Sequence, residues 1–140
     1  MTNIVTTEWQ QDMVLKTDNP SGKTILIDTE EDFGGTNSGV RPKALMLSAL
    51  GGCTGLDVLS LMKKMKVEFD NFKVVVSGEM TDEHPKYYKK VTVDYHFYGA
   101  NVNKSKVDKA VNLSVERYCG VFEMFRHFAE VNHNIHIHTS

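Results

Sequence analysis

The fold is decided by the stretch Pro42-Lys-Ala-Leu-Met-Leu-Ser-Ala-Leu-Gly-Gly-Cys53-Thr-Gly-Leu-Asp57-Val-Leu-Ser-Leu-Met-Lys-Lys-Met-Lys66, residues 42–66. Its apolar residues cover almost the whole circumference of a helix, which is typical of a helix buried in a core. Pro42 suits the first helical turn, where its missing N–H costs nothing. Polar residues interrupt the stretch throughout. We therefore expect a central core helix and not a membrane span.

Three glycines, Gly51, Gly52 and Gly55, surround Cys53 in this stretch. Each costs about 1 kcal/mol relative to alanine in a helix interior. Their clustering therefore predicts that another backbone or a ligand comes close. Cys53 itself has two interpretations. It is either a small core residue, as most buried cysteines are, or a reactive thiol placed where side-chain bulk has been removed.

Composition limits the class of protein. A chain of 140 residues with 41% hydrophobic and 24% charged residues is typical of one globular domain, which we expect to span residues 1–140. A net charge of −2 without a long basic run argues against a nucleic-acid partner. The N-terminus has no signal-peptide pattern and two cysteines make no secreted disulfide framework, so we expect a cytoplasmic protein.

The rest of the chain predicts an α+β fold. Strands are expected at 4–9, 12–17 and 23–28, and a loop at 29–41 delivers Arg41 and Lys43 to the start of the central helix. Further strands are expected at 72–80, 87–98 and 132–140. One helix should begin at a capping box, Ser105 to Asp108, and end near Cys119, and a second should cover 121–130.

The central helix needs more cover than one small sheet provides. In the 87–98 strand, alternate residues are apolar and share one face: Val91, Val93, Tyr95 and Phe97. This face can cover one side of a helix that is apolar nearly all round. A dimer in which two such helices are enclosed by two sheets would cover the other sides, so we expect a homodimer.

Two cysteine motifs resemble those of the OsmC/Ohr family of osmotically inducible and organic hydroperoxide resistance proteins. The first is Val40-Arg-Pro-Lys-Ala-Leu-Met-Leu-Ser-Ala-Leu-Gly-Gly-Cys53-Thr-Gly-Leu-Asp57-Val. The second, Arg117-Tyr118-Cys119-Gly-Val121, has the form found in the general OsmC-like branch. The sequence separation of Cys53 and Cys119 and the order of elements also match that family.

The resemblance implies a fold and a chemistry. The fold is OsmC-like, with a long buried central helix wrapped by antiparallel sheets in an intertwined homodimer. The implied activity is thiol-dependent reduction of organic hydroperoxides. Cys53 would attack the peroxide and become a sulfenic acid, and Cys119 would resolve it as a disulfide. A small-molecule peroxide and a dithiol reductant are then the partners, with no cofactor, no metal, no nucleic acid and no membrane.

One expected feature of the family's peroxidases is absent. These peroxidases activate the first cysteine with an arginine and a glutamate, and Phe33 and Lys43 stand at those positions here. This absence predicts weak peroxidase activity. Arg41 and Lys43 are cations that could activate Cys53, bind an anionic ligand in the dimer cleft, or lie solvated at the helix start. Asp57, one turn after Cys53, would disfavour a thiolate if it points the same way.

Two further clusters have a structural and a functional interpretation. His136 and His138, with His133 and His127 nearby, could supply zinc ligands, but a solvated strand face is the interpretation we favour. Phe122, Phe125 and Phe128 have helical spacing, which favours core or dimer packing over an apolar mouth for an alkyl hydroperoxide.

Two functions therefore follow from the sequence. The first is a cysteine-based hydroperoxide reductase. The alternative is a non-catalytic OsmC-fold dimer that binds a small apolar or anionic ligand in its cleft. We favour the enzyme, because packing alone would accept alanine- or serine-sized residues in place of both cysteines.

Overall fold

The structure, a computed structural model, describes residues 1–139. These residues form two compact units whose boundary falls between Met46 and Leu47. The single domain expected from the sequence stays a prediction. The α+β class is confirmed, because helices and two small sheets alternate along the chain.

The first unit contains a three-stranded antiparallel sheet in the order β1–β2–β3. Its strands are β1 (Thr7–Gln11), β2 (Val14–Asp18) and β3 (Thr24–Ile27). Each lies within two or three residues of its predicted position. The turn between β2 and β3 closes with Gly22 at a φ of 84°, where glycine meets no steric penalty. The hairpin predicted around residues 19–22 is therefore confirmed.

A loop held by Asp28 follows β3. The buried carboxylate of Asp28 accepts hydrogen bonds from the backbone N–H groups of Thr29, Thr36 and Ser38 and from the Thr36 hydroxyl. The Ser38 N–H, with the other donors, lowers the pKa of Asp28 to about 2. The loop predicted at 29–41 is therefore an ordered segment, which includes a 3₁₀ turn at Glu31–Phe33.

The central helix α1 runs from Pro42 to Lys64. One face is buried, and it carries Leu50, Thr54, Gly55, Val58 and Met62. Leu56 and Leu59, on other faces, are 70% and 39% exposed, so in the single chain the helix is covered on one side. By length and composition α1 would also suit a membrane span, a test that core helices of soluble proteins pass too. The expected absence of a membrane partner stays a prediction.

The second sheet lies in the order β4–β5–β6. Its strands are β4 (Asn71–Met80), β5 (Tyr88–Tyr98) and β6 (Glu130–His138). The apolar face predicted for β5 is fully buried and forms the centre of the core. The expectation of antiparallel sheets needs one correction, because β6 pairs parallel to β5. Parallel pairing requires a long crossover, which the helices between these strands supply.

The crossover contains two helices separated by a π-helical turn. Helix α2 (Lys104–Leu113) leads into the turn at Ser114–Tyr118, and helix α3 (Gly120–Arg126) follows Cys119. The capping box predicted at Ser105 and Asp108 is wrong. The Asn103 side chain caps α2 by accepting from the Lys106 N–H, so the N-cap lies two residues before the predicted Ser105.

Candidate functional site

Cys53 lies near the middle of α1, where the helix approaches β4 closely. The thiol is half-buried and packs against the core. A Cβ on Gly51 would stand 3.3 Å from a methyl of Val76, and one on Gly55 would stand 3.7 Å from a methyl of Val74. Both valines belong to β4, so side chains of that strand approach the helix at two of the glycines, tightly at Gly51 alone. The expectation that another backbone or a ligand comes close there stays a prediction. Gly52 has no such neighbour within 4 Å in the described chain.

Cys119 lies between the π-helical turn and α3. It is 4% exposed, and its Sγ accepts a hydrogen bond of 3.3 Å from the Phe122 N–H. Burial, with a smaller contribution from the neighbouring Cys53, raises the pKa of the Cys119 thiol to about 12 against the opposing effect of the Phe122 N–H. The thiol of Cys119 is therefore protonated at neutral pH.

The structure brings Cys53, Asp57 and Cys119 together. The two sulfur atoms and a carboxylate oxygen of Asp57 all lie within 4.8 Å of one another. Both cysteines are free thiols. Asp57 is half-buried on the same face of α1 as Cys53, one turn further along. Asp57 thus points the same way as the first cysteine.

A chain of hydrogen bonds leads from Asp57 into the core. The Ser114 hydroxyl donates to Asp57 Oδ2 at 3.0 Å and lies 2.8 Å from the Thr54 hydroxyl, which in turn lies 2.7 Å from the Tyr95 hydroxyl. All three hydroxyl residues are buried. Burial raises the pKa of Tyr95 to about 12. These hydrogen-bonded hydroxyl side chains hold the Asp57 carboxylate beside the thiols.

Sequence reasoning missed this hydroxyl chain. The sequence pattern places Tyr95 on an apolar strand face, and Thr54 is one of the polar residues that interrupt the central stretch. One signal could have predicted the hydroxyl chain. A residue with a hydroxyl group lies on an otherwise apolar face of α1, of β5 and of the crossover. A buried polar group needs a hydrogen-bond partner, so three such residues predict contact with one another.

Two thiols and a carboxylate are also ligands that zinc accepts. Cys53, Cys119 and Asp57 would supply three of the four ligands of a tetrahedral site, with the fourth position open. The sequence predicts no metal here, and that expectation stays a prediction.

The predicted cations Arg41 and Lys43 belong to the first unit. The Arg41 guanidinium donates to the Asn37 side chain at 2.7 Å and to the carbonyls of Gly39 and Asp28. It therefore stabilises the loop that precedes α1. Lys43 lies exposed in the first turn of α1. Their predicted roles toward Cys53 stay predictions.

The C-terminal histidines separate onto two faces of the second sheet. His136 and His138 stack with His96 on β5, and His96 Nδ1 lies 2.9 Å from His138 Nε2. His133 faces the other way and contacts the rings of Tyr95 and Phe122. The favoured interpretation as a solvated face therefore needs a correction, because cross-strand stacking leaves these rings only partly exposed. Among residues 1–139, these histidines form no cluster of three with metal-ligand spacing.

The phenylalanines of the crossover are mostly core residues. Phe122 and Phe125 are buried, whereas Phe128 is 41% exposed just after α3. The packing interpretation is confirmed for the first two. Phe128 remains in contact with the ring of Phe125.

Comparisons with known proteins agree with this architecture. A family model described as OsmC-like protein matches residues 35–134. Protein YhfA of Escherichia coli K12 is 26% identical over 133 residues, which cover 93% of this chain and 94% of that protein. A solved structure of a hypothetical protein from Aquifex aeolicus VF5 is 25% identical, covers 98% of both chains and has a TM-score of 0.80.

A second solved structure has a more informative description. The organic hydroperoxide resistance protein OhrB of Bacillus subtilis has a TM-score of 0.64 at 18% identity, covering 96% of this chain and 98% of that one. At this identity the similarity concerns the fold alone. The OsmC-like fold predicted from the two cysteine motifs is thereby confirmed, and the homodimer stays a prediction.

Proposed function

The chain belongs to the OsmC-like protein family, and from that premise we propose that it is a thiol-dependent reductase of organic hydroperoxides. Cys53 is the attacking cysteine and Cys119 the resolving one. The observation that carries this proposal is the approach of the two free sulfurs to within 4.8 Å. Formation of a disulfide would bring these sulfurs to about 2.05 Å from one another.

The proposed reaction has two steps. The Cys53 thiolate attacks the terminal oxygen of the hydroperoxide, the O–O bond breaks, and the alkoxide takes a proton to leave as the alcohol. The resulting Cys53 sulfenic acid then reacts with Cys119, which forms the S–S bond and releases water. A dithiol reductant returns both cysteines to thiols by exchange.

Two features of the site predict slow chemistry. Phe33 and Lys43 replace the arginine and glutamate of the family's peroxidases. The Asp57 carboxylate lies next to both sulfurs, and its charge helps burial to raise the pKa of Cys119. We therefore expect a rate with alkyl hydroperoxides that exceeds that of an ordinary free thiol but is modest for a peroxidase.

A homodimer is part of the proposal. Leu56 and Leu59 are exposed on α1, and Gly52 leaves room for a close approach by another backbone. A second copy of α1 would remove this apolar surface from water. Wild type should sediment as a dimer and Leu56→Asp as a monomer. Met124→Asp, at a comparably exposed position on α3, is the matched control and should leave the dimer intact.

We place the reaction in the cytoplasm, because a reducing compartment keeps two such cysteines available as thiols between turnovers.

The test is the intact mass of the reduced protein after one equivalent of an alkyl hydroperoxide. Wild type should lose two hydrogens, Cys119→Ala should stop at a sulfenic acid, and Cys53→Ala should remain unchanged. A wild type that stays reduced for minutes, at the rate of an ordinary free thiol, would exclude the peroxidase.

The alternative function is a non-catalytic dimer that binds a small apolar or anionic ligand in its cleft. The missing arginine–glutamate pair is the observation in its favour. This alternative predicts that the intact masses of Cys53→Ala and of wild type respond identically to the peroxide.

A further inference from the structure

We propose that Cys53, Asp57 and Cys119 form a zinc site, which binds the ion while both cysteines are reduced. This inference goes beyond the proposed peroxide chemistry and departs from the cysteine motifs, which imply no metal. Its link to the proposed function is the pairing of the two cysteines, because a disulfide between them would remove two of the three ligands. Zinc and the disulfide should therefore exclude each other.

The three ligands come from two parts of the chain that the fold brings together. Cys53 and Asp57 are four residues apart on α1, and side chains at this spacing share one face of a helix and can hold one ion. Cys119 completes the set from the crossover, between the π-helical turn and α3. Tetrahedral zinc, with bonds of about 2.1–2.3 Å, holds its ligand atoms about 3.6–3.8 Å apart. The ligand atoms here lie within 4.8 Å of one another, at most about 1.2 Å further apart than around a bound ion.

Two of the three ligands have the hydrogen-bond partners that metal ligands have in proteins. The Phe122 N–H donates to the Cys119 sulfur at 3.3 Å. The Ser114 hydroxyl donates to Asp57 Oδ2 at 3.0 Å and is itself held by the Thr54 hydroxyl. Such partners fix the direction of a ligand and tune its strength as a donor. The protein therefore holds the carboxylate beside the sulfurs before an ion arrives.

The ligand types favour zinc over other common ions. Two sulfur ligands disfavour Mg²⁺ and Ca²⁺, which prefer oxygen. The carboxylate suits Zn²⁺, which accepts both sulfur and oxygen, better than Cu⁺, which prefers soft ligands. Zn²⁺ displaces the protons of both thiols, which pass to water, so binding needs no oxidant or reductant. The bound ion would be held by two thiolates and one carboxylate.

The site is reached from the side of α1. Cys119 is buried, whereas Cys53 and Asp57 are half-buried, so an ion reaches the ligands past these two side chains. Within residues 1–139, no fourth cysteine, histidine or carboxylate joins the cluster. The fourth position is therefore left to water, and a chelator can reach the ion there.

The histidines of the second sheet are the other candidate ligands for zinc. His96 Nδ1 lies 2.9 Å from His138 Nε2. His136 Nε2 lies 2.9 Å from Asp94 Oδ1. These contacts occupy one nitrogen of each ring, and in the described part of the chain no group of three ligands forms there. The experiment must nevertheless separate the thiol cluster from this histidine surface.

The experiment titrates the reduced protein with Co²⁺, a spectroscopic probe for zinc sites, in the absence of peroxide. Thiolate-bound Co²⁺ gives a charge-transfer band in the near ultraviolet, and tetrahedral Co²⁺ gives d–d bands in the visible. We expect both to saturate at one ion per chain and to disappear when Zn²⁺ displaces Co²⁺. Protein whose two thiols have been oxidised to the disulfide with diamide, as checked by intact mass, should give neither.

Single substitutions then identify the ligands. Cys53→Ser and Cys119→Ser each leave one thiolate, so the charge-transfer band should fall to about half or less. Asp57→Asn keeps both thiolates but loses the charged oxygen, so its affinity for Zn²⁺ should be at least about tenfold weaker. Asp108→Asn on α2 and His138→Gln on the histidine surface are the controls, and both should bind Zn²⁺ as wild type does.

Three outcomes would overturn the proposal. The first is a reduced wild type that gives no charge-transfer band with Co²⁺. The second is an Asp57→Asn variant with the wild-type affinity for Zn²⁺. The third is binding that is lost in His138→Gln and kept in Cys119→Ser, which would place the ion on the histidine surface. A protein that binds zinc but stays reduced with the hydroperoxide contradicts the proposed peroxidase alone, so the two failures are distinguished.

Discussion

The two faces of strand β5 carry polar side chains of very different character. On the inner face, Tyr95 ends the chain of hydroxyls that leads through Thr54 and Ser114 to Asp57. On the outer face, His96 stacks with His136 and His138, and Asp94 lies 2.9 Å from His136 Nε2. Adjacent residues of one strand thus belong to a closed network and to a surface that water reaches.

The difference between the two faces indicates which groups make the stability of the protein depend on pH. The inner hydroxyls stay neutral at physiological pH, and no buried side-chain polar atom of residues 1–139 lacks a partner. The hydroxyl chain should therefore respond strongly to substitution and weakly to pH. The outer face has groups that titrate near or below neutrality, so its response should be the reverse.

The largest effect should come from breaking the inner network. Thr54→Val keeps the shape of the side chain but leaves the hydroxyls of Tyr95 and Ser114 without a shared partner. We expect a loss of about 1–3 kcal/mol in the free energy of unfolding, measured by urea denaturation. Thr92→Val, the same change on the outer face of β5, should stay within about 0.5 kcal/mol of wild type. Equal effects at both positions would remove the distinction between the faces.

The next effect is a pH dependence on the outer face. Burial, and then the neighbouring His136 and His138, lower the pKa of His96 from its ordinary 6.5. A depressed histidine pKa means that stability is full above pH 6.5 and is lost as pH falls through the folded-state value. We expect a loss below about 1 kcal/mol between pH 7 and pH 5, because these rings are partly in water.

His96→Gln should reduce that slope in urea midpoints measured across the same range. His133, whose pKa is lowered by burial on the inner face, contributes in the same direction, so His133→Gln is measured beside it. The exposed His127 provides a control, and His127→Gln should leave the slope unchanged. If stability depended on pH as strongly in His96→Gln and in His133→Gln as in wild type, this account would be contradicted.

The smallest effect should come from the pair of Asp94 and His136. The hydrogen bond with His136 lowers the pKa of Asp94, so its contribution is present above pH 3.8 and is lost as pH falls through the folded-state value. Asp94→Asn should cost about 0.2–1 kcal/mol at pH 7, and the difference from wild type should shrink toward pH 3. A pH-independent difference would indicate lost packing and no electrostatic contribution.

Sequence patterns with a local period were read successfully. The apolar period placed α1 to within two residues of its observed end, and strict alternation identified the buried face of β5. The pairing of Cys53 and Cys119 came from the resemblance of two motifs, and the structure brings both thiols together.

Features that depend on register between distant segments were missed. In the hydroxyl chain, Thr54 is separated from Tyr95 by 41 positions in the sequence and from Ser114 by 60. The histidine stack requires β6 to lie parallel to β5 with His136 opposite His96. Neither alignment can be deduced from the sequence of a single segment. Asp57 was weighed against Cys53 alone because the proximity of Cys119 and Ser114 was not visible in the sequence.

The π-helical turn at Ser114–Tyr118 has a consequence for how this chain can vary. Its closing bond runs from the Cys119 N–H to the Ser114 carbonyl, which spans one residue more than an α-helical bond. Removing one residue from it would restore α-helical spacing and swing the second thiol by about 100° around the helix axis. The number of residues between Ser114 and Cys119 therefore matters more than the identity of the exposed side chains there. Related chains should tolerate substitutions within this segment and reject changes in its length.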